Sequence, residues 1–233
     1  MAIFTGGFET GTNGNTITTG DAGNSSAWTT VSIPAGSSVV YDNTHSYDRL
    51  AAKLATTTPG TEAYVGWSIG AATTIHFGRL YAYFTAFPSI NLIVTTDAGN
   101  LGSAIQIDSS GLVKALDSGG TVQATSTRAI SLNQWMRFEF MMQHSTTVGQ
   151  IIVKIFHDPN ASGATETITT GNINTRGQID AVFFGIIISS TNLGPIWIDN
   201  VIANMSTWPG PINNPTFVRD RRRPRIFAPG LAR

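Results

Sequence analysis

The stretch QWMRFEFMMQHS, residues 134–145, decides the fold class. Its apolar side chains alternate at every second position, which is the period of a β-strand and not of a helix. One face carries Met136, Phe138, Phe140 and Met142, and the other carries Trp135, Arg137, Glu139 and Met141. We predict a strand that places the first face in an apolar core.

The same alternation recurs along the chain. In HFGRLYAYFTAF, residues 76–87, the side chains Phe77, Arg79, Tyr81 and Tyr83 share one face. Clusters such as TTDAGN, IDSSGL and DSGG separate these runs, and they are typical of tight turns. About a dozen short strands with such turns predict an all-β fold, an antiparallel two-sheet β-sandwich over residues 1–211.

Composition excludes several classes of protein. Cysteine is absent, so the chain has no disulfide framework, no thiolate nucleophile and no cysteine-ligated metal. No run approaches 18 apolar residues, and the start MAIFTGGFET lacks the basic and apolar regions of a secretory signal. We expect a protein that is neither held in a membrane nor exported by a signal peptide.

The C-terminal segment, residues 212–233, is a second unit of opposite charge. Residues 1–211 contain eight Lys and Arg against thirteen Asp and Glu, a net charge of −5. Residues 212–233 contain six Arg against one Asp, a net charge of +5. Three prolines in this segment exclude a continuous helix, so we predict an extended tail.

Arginine alternates with apolar side chains in this tail, which suits docking into a neighbouring subunit through Arg–carboxylate pairs. A nucleic-acid arm and a solvated tail are the alternatives, and the interleaved prolines and apolar residues favour the protein anchor. We expect structural subunits as partners, including copies of this chain. The predicted anchor residues are Phe217, Arg219, Arg221, Arg222, Arg223, Arg225, Ile226, Phe227 and Arg233.

Three segments resemble one family. FETGTNGNTITTGDAGNSSAWTTV (8–31), LNQWMRFEF (132–140) and IWIDNVIANMSTWPGP (196–211) resemble the concanavalin A-like, laminin-G-like jelly rolls common in tailed bacteriophages of actinobacteria. The resemblance implies a concanavalin A-like jelly roll in a virion protein, made in the host cytoplasm. Minor tail, tail-tip and capsid decoration roles all fit, with a glycan-binding-type domain displayed towards the host surface.

Two alternatives to a virion protein stay open: a carbohydrate-active enzyme or free carbohydrate-binding module, and a jelly-roll capsid protein that contacts nucleic acid. Glycanases of this sandwich resemble one another in aligning two carboxylates on one strand, as in E-x-D-x-x-E. Glu139 and Asp199 each stand alone on their strands, so we expect no enzyme. We predict Arg137 and Glu139 as an exposed cross-strand pair worth under about 1 kcal/mol.

Glycan binding requires exposed aromatic rings beside hydrogen-bonding groups. The residues predicted for such a site are Arg79, Tyr81, Tyr83 and Trp67.

We expect no cofactor and no metal, with calcium the one ion left open, because turn stabilisation explains each acidic residue equally well. The possible oxygen ligands are Asp97 with Asn100, Asp21 with Asn24, and Asp108 with Asp117.

Overall fold

The structure is a computed structural model, and it describes residues 2–21, 26–187 and 193–212. The predicted anchor residues, all within 217–233, lie outside the described residues. Asn24, one of the predicted calcium ligands, also lies outside them.

The described residues form fifteen β-strands and no helix, so none of them forms a helix that could cross a membrane. The strands are β1 (Phe4–Gly6), β2 (Thr30–Ser32), β3 (Ser37–Asp42), β4 (Ala51–Thr56), β5 (Ala63–Thr73), β6 (Ile75–Phe84), β7 (Ile90–Asp97), β8 (Asn100–Ile107), β9 (Leu112–Leu116), β10 (Val122–Ala129), β11 (Trp135–Gln143), β12 (Gln150–Phe156), β13 (Glu166–Thr169), β14 (Ile179–Ile187) and β15 (Leu193–Met205).

These strands form two sheets. The larger sheet has the order β13-β12-β11-β6-β15-β4-β3, with β1 also paired to β15, and the smaller has the order β10-β9-β8-β7-β14-β5-β2. Every strand pairing is antiparallel. The sheets bury one shared hydrophobic core between them. This architecture confirms the predicted all-β antiparallel two-sheet sandwich.

The alternating runs place their apolar faces in this core. Leu80 and Ala82 of β6 and Phe138 of β11 are fully buried there, as their alternation predicts. Trp67 of β5 is also in the core, where it stacks on Trp28 at a ring-centroid distance of 4.2 Å. Because Trp67 has no exposed surface, it offers no contact to a sugar, contrary to the role predicted for it.

Strands β8, β9 and β10 form a meander in which aspartates organise the turns. Asp108 Oδ1 accepts hydrogen bonds from two backbone N–H groups of its own turn, at 2.9 and 3.0 Å. Asp117 Oδ1 does the same in the next turn, with both distances 2.9 Å. Asp108 also forms an ion pair with Lys114 at 2.8 Å. Both aspartates therefore stabilise turns in this structure.

Candidate functional site

Two loops cover the outer face of the larger sheet, where the glycan-binding residues are predicted. Loop 43–50 places Tyr47 against Tyr81 at a ring-centroid distance of 4.5 Å. Loop 157–165 meets the first loop, since the Tyr47 hydroxyl donates a hydrogen bond to Asn160 Oδ1 at 2.6 Å. Tyr81 is fully buried as a result.

The segment that follows β15, residues 206–212, crosses the same face, and we call it the strap. Trp208 packs edge-on against Phe77 at a ring-centroid distance of 5.2 Å. Arg79 Nη1 donates a hydrogen bond to the Gly210 carbonyl at 2.7 Å. Arg79 is only 6% exposed, and this burial lowers the pKa of its guanidinium. The predicted open binding face is therefore largely covered by the chain itself.

The prediction that Arg137 and Glu139 form an exposed pair is wrong. Both are buried, and loop 157–165 lies over Arg137. Arg137 Nε lies 3.0 Å from Glu139 Oε1, a close ion pair without the alignment of a hydrogen bond. Arg137 also donates to the carbonyls of Pro159 and Ala161, at 2.5 and 2.7 Å. The guanidinium thus fastens the loop to the sheet.

Asp199 is buried near two further carboxylates. It accepts hydrogen bonds from the backbone N–H groups of Tyr47 and Asn200, at 3.2 and 2.7 Å. Burial raises the pKa of Asp199 well above its ordinary value, and the charges of Glu9 and Asp48 raise it further. In the described part of the chain, no three His, Cys, Asp or Glu side chains are arranged to ligate one metal ion.

One line of aromatic residues lies on the outer face of the larger sheet, with Trp135 and Tyr83 partly exposed and Trp197 buried. Trp135, Tyr83 and Trp197 are neighbours on β11, β6 and β15, and we call them the aromatic row. His45 stacks on Tyr83 at a ring-centroid distance of 4.3 Å. Lys53 of β4 continues the line beyond Trp197. Tyr83 is therefore the one predicted glycan contact that retains exposed aromatic surface.

The smaller sheet carries an open groove on its outer face. Tyr64 of β5 and Phe183 of β14 form its aromatic wall, with ring centroids 5.1 Å apart, and both are partly exposed. Val94 and Leu101 line the apolar floor. The hollow has a volume of about 320 Å³, at the lower end of the range for ligand sites. We call this feature the groove.

Polar groups surround the groove. Glu62 and Thr96 line the same hollow, and a continuous second hollow adds Ser68 and Asp180. Asp180 accepts hydrogen bonds from Thr96 Oγ1 at 3.4 Å and from the Ala98 backbone N–H at 3.0 Å. Aromatic rings beside hydroxyl and carboxylate groups are the combination that sugar rings require.

Two backbone features give the groove its shape. A tight turn joins β7 to β8 through Ala98 and Gly99, with φ angles of 48° and 78°. Such positive angles at both central positions are typical of a type I′ hairpin turn, and glycine supplies the second without strain. Gly66 of β5 leaves space for the neighbouring Phe183 ring, because a Cβ there would lie 2.4 Å from Phe183 Cδ1.

We expect Gly66→Ala to displace Phe183 and to lower the free energy of unfolding by about 1–3 kcal/mol through overpacking. The added methyl would also lie 2.5 Å from the Val182 carbonyl oxygen, which cannot move without disturbing the strand pairing. Urea unfolding measures the effect. Gly163→Ala is the matched control, because a Cβ at Gly163 has no atom within 4 Å. Equal stability of the two variants would contradict the prediction.

The groove was not predicted from the sequence, although a signal for it exists. The run AVFFGIII, residues 181–188, is apolar at positions that face both sides of a sheet. Such a run indicates a central strand, and β14 does lie inside the smaller sheet. It also places Phe183 on the outer face, where no described loop covers it, so an aromatic side chain is partly exposed to solvent.

No family model and no curated protein matches the chain. Its fold is similar to that of the cellulose induced protein Cip1, with 18% identity and a TM-score of 0.57 over 77% of this chain and 91% of that one. An engineered family 43 glycoside hydrolase has 13% identity and a TM-score of 0.49, over 77% of this chain and 38% of that one. The alginate lyase AlgAT5 of polysaccharide lyase family 7 has 12% identity and a TM-score of 0.41, over 76% of this chain and 82% of that one.

The similarity to Cip1 supports the sandwich fold, and the expectation that the chain is not an enzyme is corrected. A shared fold does not exclude catalysis, and a glycoside hydrolase and a lyase are among the solved chains found to be similar. At these identities the likeness shows the fold alone and assigns no reaction. None of the three is described as a virion protein, and the virion location stays a prediction.

Proposed function

We propose that this protein binds a carbohydrate in the groove of its smaller sheet. The observation that carries the proposal is the pair of partly exposed rings, Tyr64 and Phe183, beside a polar rim. The C–H faces of a sugar ring would stack on the aromatic wall, while its hydroxyls would bond to the rim. The proteins of similar fold support the same choice, since two of the three act on carbohydrates by their descriptions.

Loss of either aromatic ring is expected to weaken glycan binding about tenfold, which corresponds to about 1.4 kcal/mol of contact energy. The variants are Tyr64→Ala and Phe183→Ala, and affinity electrophoresis through gels containing soluble plant or bacterial polysaccharides measures retardation. Tyr83→Ala is the control, because it removes a partly exposed ring from the opposite sheet. If Tyr83→Ala abolished the retardation while Tyr64→Ala and Phe183→Ala kept it, the glycan site would lie on the larger sheet and the proposal would be wrong.

Cleavage of the bound glycan is a second candidate, favoured by the two carboxylates Glu62 and Asp180 that line the connected hollows. Glycoside hydrolysis uses a pair of carboxyl groups, one as acid and one as base or nucleophile. A reducing-end assay on any polysaccharide that binds tests this, with Glu62→Gln and Asp180→Asn as variants. New ends that disappear in both variants would support cleavage, and no new ends with intact binding would reject it.

A further inference from the structure

The rim of the groove is acidic. Glu62 lines the first hollow and Asp180 lines the second, while Thr96, Gly99 and Phe183 line both. Both carboxylates are partly exposed to solvent. A sugar ring stacked on Phe183 would therefore border both hollows, each of which has one carboxylate in its lining.

The two carboxylates are not neutralised within the described part of the chain. Neither takes part in an ion pair there, and none of the described residues that line the two hollows is Lys, Arg or His. Arg176 reaches the edge of the groove, where its Nε donates a hydrogen bond to the Leu101 carbonyl at 2.9 Å. Lys114 of the same sheet is paired with Asp108. The rim carboxylates therefore keep their charge for a ligand.

Asp180 is also held in place by the turn that shapes the groove. One of its oxygens accepts a hydrogen bond from Thr96 Oγ1 and the other accepts one from the Ala98 backbone N–H. A carboxylate has about four lone-pair sites, so Asp180 keeps acceptor capacity for a ligand. Because the carboxylate is already fixed, it loses little conformational freedom when it forms a charge-assisted hydrogen bond to a cationic group.

We propose that the groove selects an amino sugar, a glycan with a protonated amine on its ring, over neutral sugars and uronic acids. This inference rests on the proposed glycan binding in the groove and adds the chemical class of the ligand. Equatorial substituents project from the edge of a sugar ring, so a ring stacked on Tyr64 and Phe183 would direct its amine to the rim. The ammonium group would bond to a carboxylate there, whereas a uronate would be repelled by like charges.

Four oligosaccharides of equal length test the selection: β-1,4-linked oligomers of glucosamine, N-acetylglucosamine, glucose and glucuronate. They share one ring configuration and differ in charge. Titration calorimetry of the full chain at mildly acidic pH, where the amine is protonated, measures each affinity. We expect the glucosamine oligomer to bind about tenfold more tightly than the two neutral oligomers, and the glucuronate oligomer to bind most weakly. This preference should shrink in about 1 M salt, which screens charges beyond about 3 Å.

Variants that remove one charge assign the preference to the rim. Glu62→Gln and Asp180→Asn should each lower the ratio of the glucosamine affinity to the N-acetylglucosamine affinity. Asp158→Asn is the matched control, because it removes one charge from an exposed position in loop 157–165, over the opposite sheet. The asparagine keeps an oxygen that accepts the hydrogen bond from the Asn160 backbone N–H. Its affinity ratio should equal that of the wild type.

The outcomes separate this inference from the proposed function. Equal affinity for the glucosamine and neutral oligomers, or an equal fall of the ratio in Asp158→Asn, would overturn the selection. Neutral-oligomer binding that Tyr64→Ala weakens would still support glycan binding in the groove. Glucosamine binding that Tyr64→Ala leaves unchanged would place the amine outside the groove and overturn the inference. If none of the oligomers binds, the selection is wrong, and retardation in the polysaccharide gels decides the proposed function separately.

Discussion

Between pH 6.5 and pH 3 the folded protein is expected to lose on the order of 4 kcal/mol of stability through one buried histidine, His76. His76 has no exposed surface, and burial together with the adjacent His144 lowers its pKa to about 3. Below pH 6.5 the unfolded chain therefore binds a proton at His76, whereas the folded chain does not bind it until the pH approaches 3. Stability from this group is complete above pH 6.5 and is lost as the pH falls.

The hydrogen bonds of His144 and His76 explain why His76 stays neutral in the folded protein. His144 Nδ1 lies 3.1 Å from the Thr175 carbonyl, so it must carry the hydrogen, and His144 Nε2 is then an acceptor. His76 Nδ1 lies 3.3 Å from that acceptor and donates to it. A further proton would have to sit on His76 Nε2, a buried atom with no hydrogen-bond partner among the described residues.

His76→Asn isolates the effect. The variant is expected to be less stable than the wild type at pH 7, and this difference should shrink as the pH approaches 3.5, as measured by urea unfolding at each pH. Asp199 and Glu139 have raised pKa values, so the stability that they contribute is lost as the pH rises, opposite to His76. Both residues are present in the wild type and in the variant, so their effects cancel in the difference between the two curves. His45→Asn, which removes a partly exposed imidazole from the outer face of the larger sheet, is the matched control. Parallel curves for wild type and His76→Asn would contradict the prediction.

Arg137→Met is expected to lower the free energy of unfolding by about 3–5 kcal/mol, the usual result of removing one partner of a buried ion pair. The substitution removes the ion-pair partner of the Glu139 carboxylate and the donors to two loop carbonyls. It also removes the guanidinium that lies 3.7 Å from the Phe156 ring centroid. The cost arises from uncompensated buried polar groups, since the methionine fills most of the volume.

A double variant separates this explanation from a simple packing defect. Arg137→Met with Glu139→Leu removes both charges, and we expect it to recover part of the loss. Arg128→Met is the control, because Arg128 is exposed and the change should stay within about 0.5 kcal/mol. A double variant that is less stable than Arg137→Met alone would show that the carboxylate is not the source of the cost.

The two-sheet fold could be predicted because it depends on local patterns. Alternation in residues 76–87 and 134–145 fixes which side chains face the core, and a one-residue shift in register would expose Phe138 and Leu80. The turn aspartates Asp108 and Asp117 act within four residues of themselves, so their roles are also readable from the sequence. Such features need no knowledge of distant residues.

The groove could not be predicted from the sequence, and the outer face of the larger sheet could be predicted only in part. Alternation correctly placed Arg79, Tyr81 and Tyr83 on one outer face, but it could not show that loops 43–50 and 157–165 cover that face. The covering contacts join residues far apart in the chain, such as Tyr47 and Asn160. The exposure of a residue depends on such long-range contacts, and the alternation of side chains along a strand does not reveal them.

The sequence by itself determined that this is a cysteine-free antiparallel sandwich and that six of its arginines are concentrated in residues 212–233, because period, turn chemistry and charge are properties of neighbouring residues. Only the tertiary structure decided which outer face stays open. It buried Arg137 and Tyr81 beneath distant loops and left Tyr64 and Phe183 beside an uncovered groove. The physical reason is that an outer strand face becomes a binding surface only where long-range contacts leave it exposed to solvent.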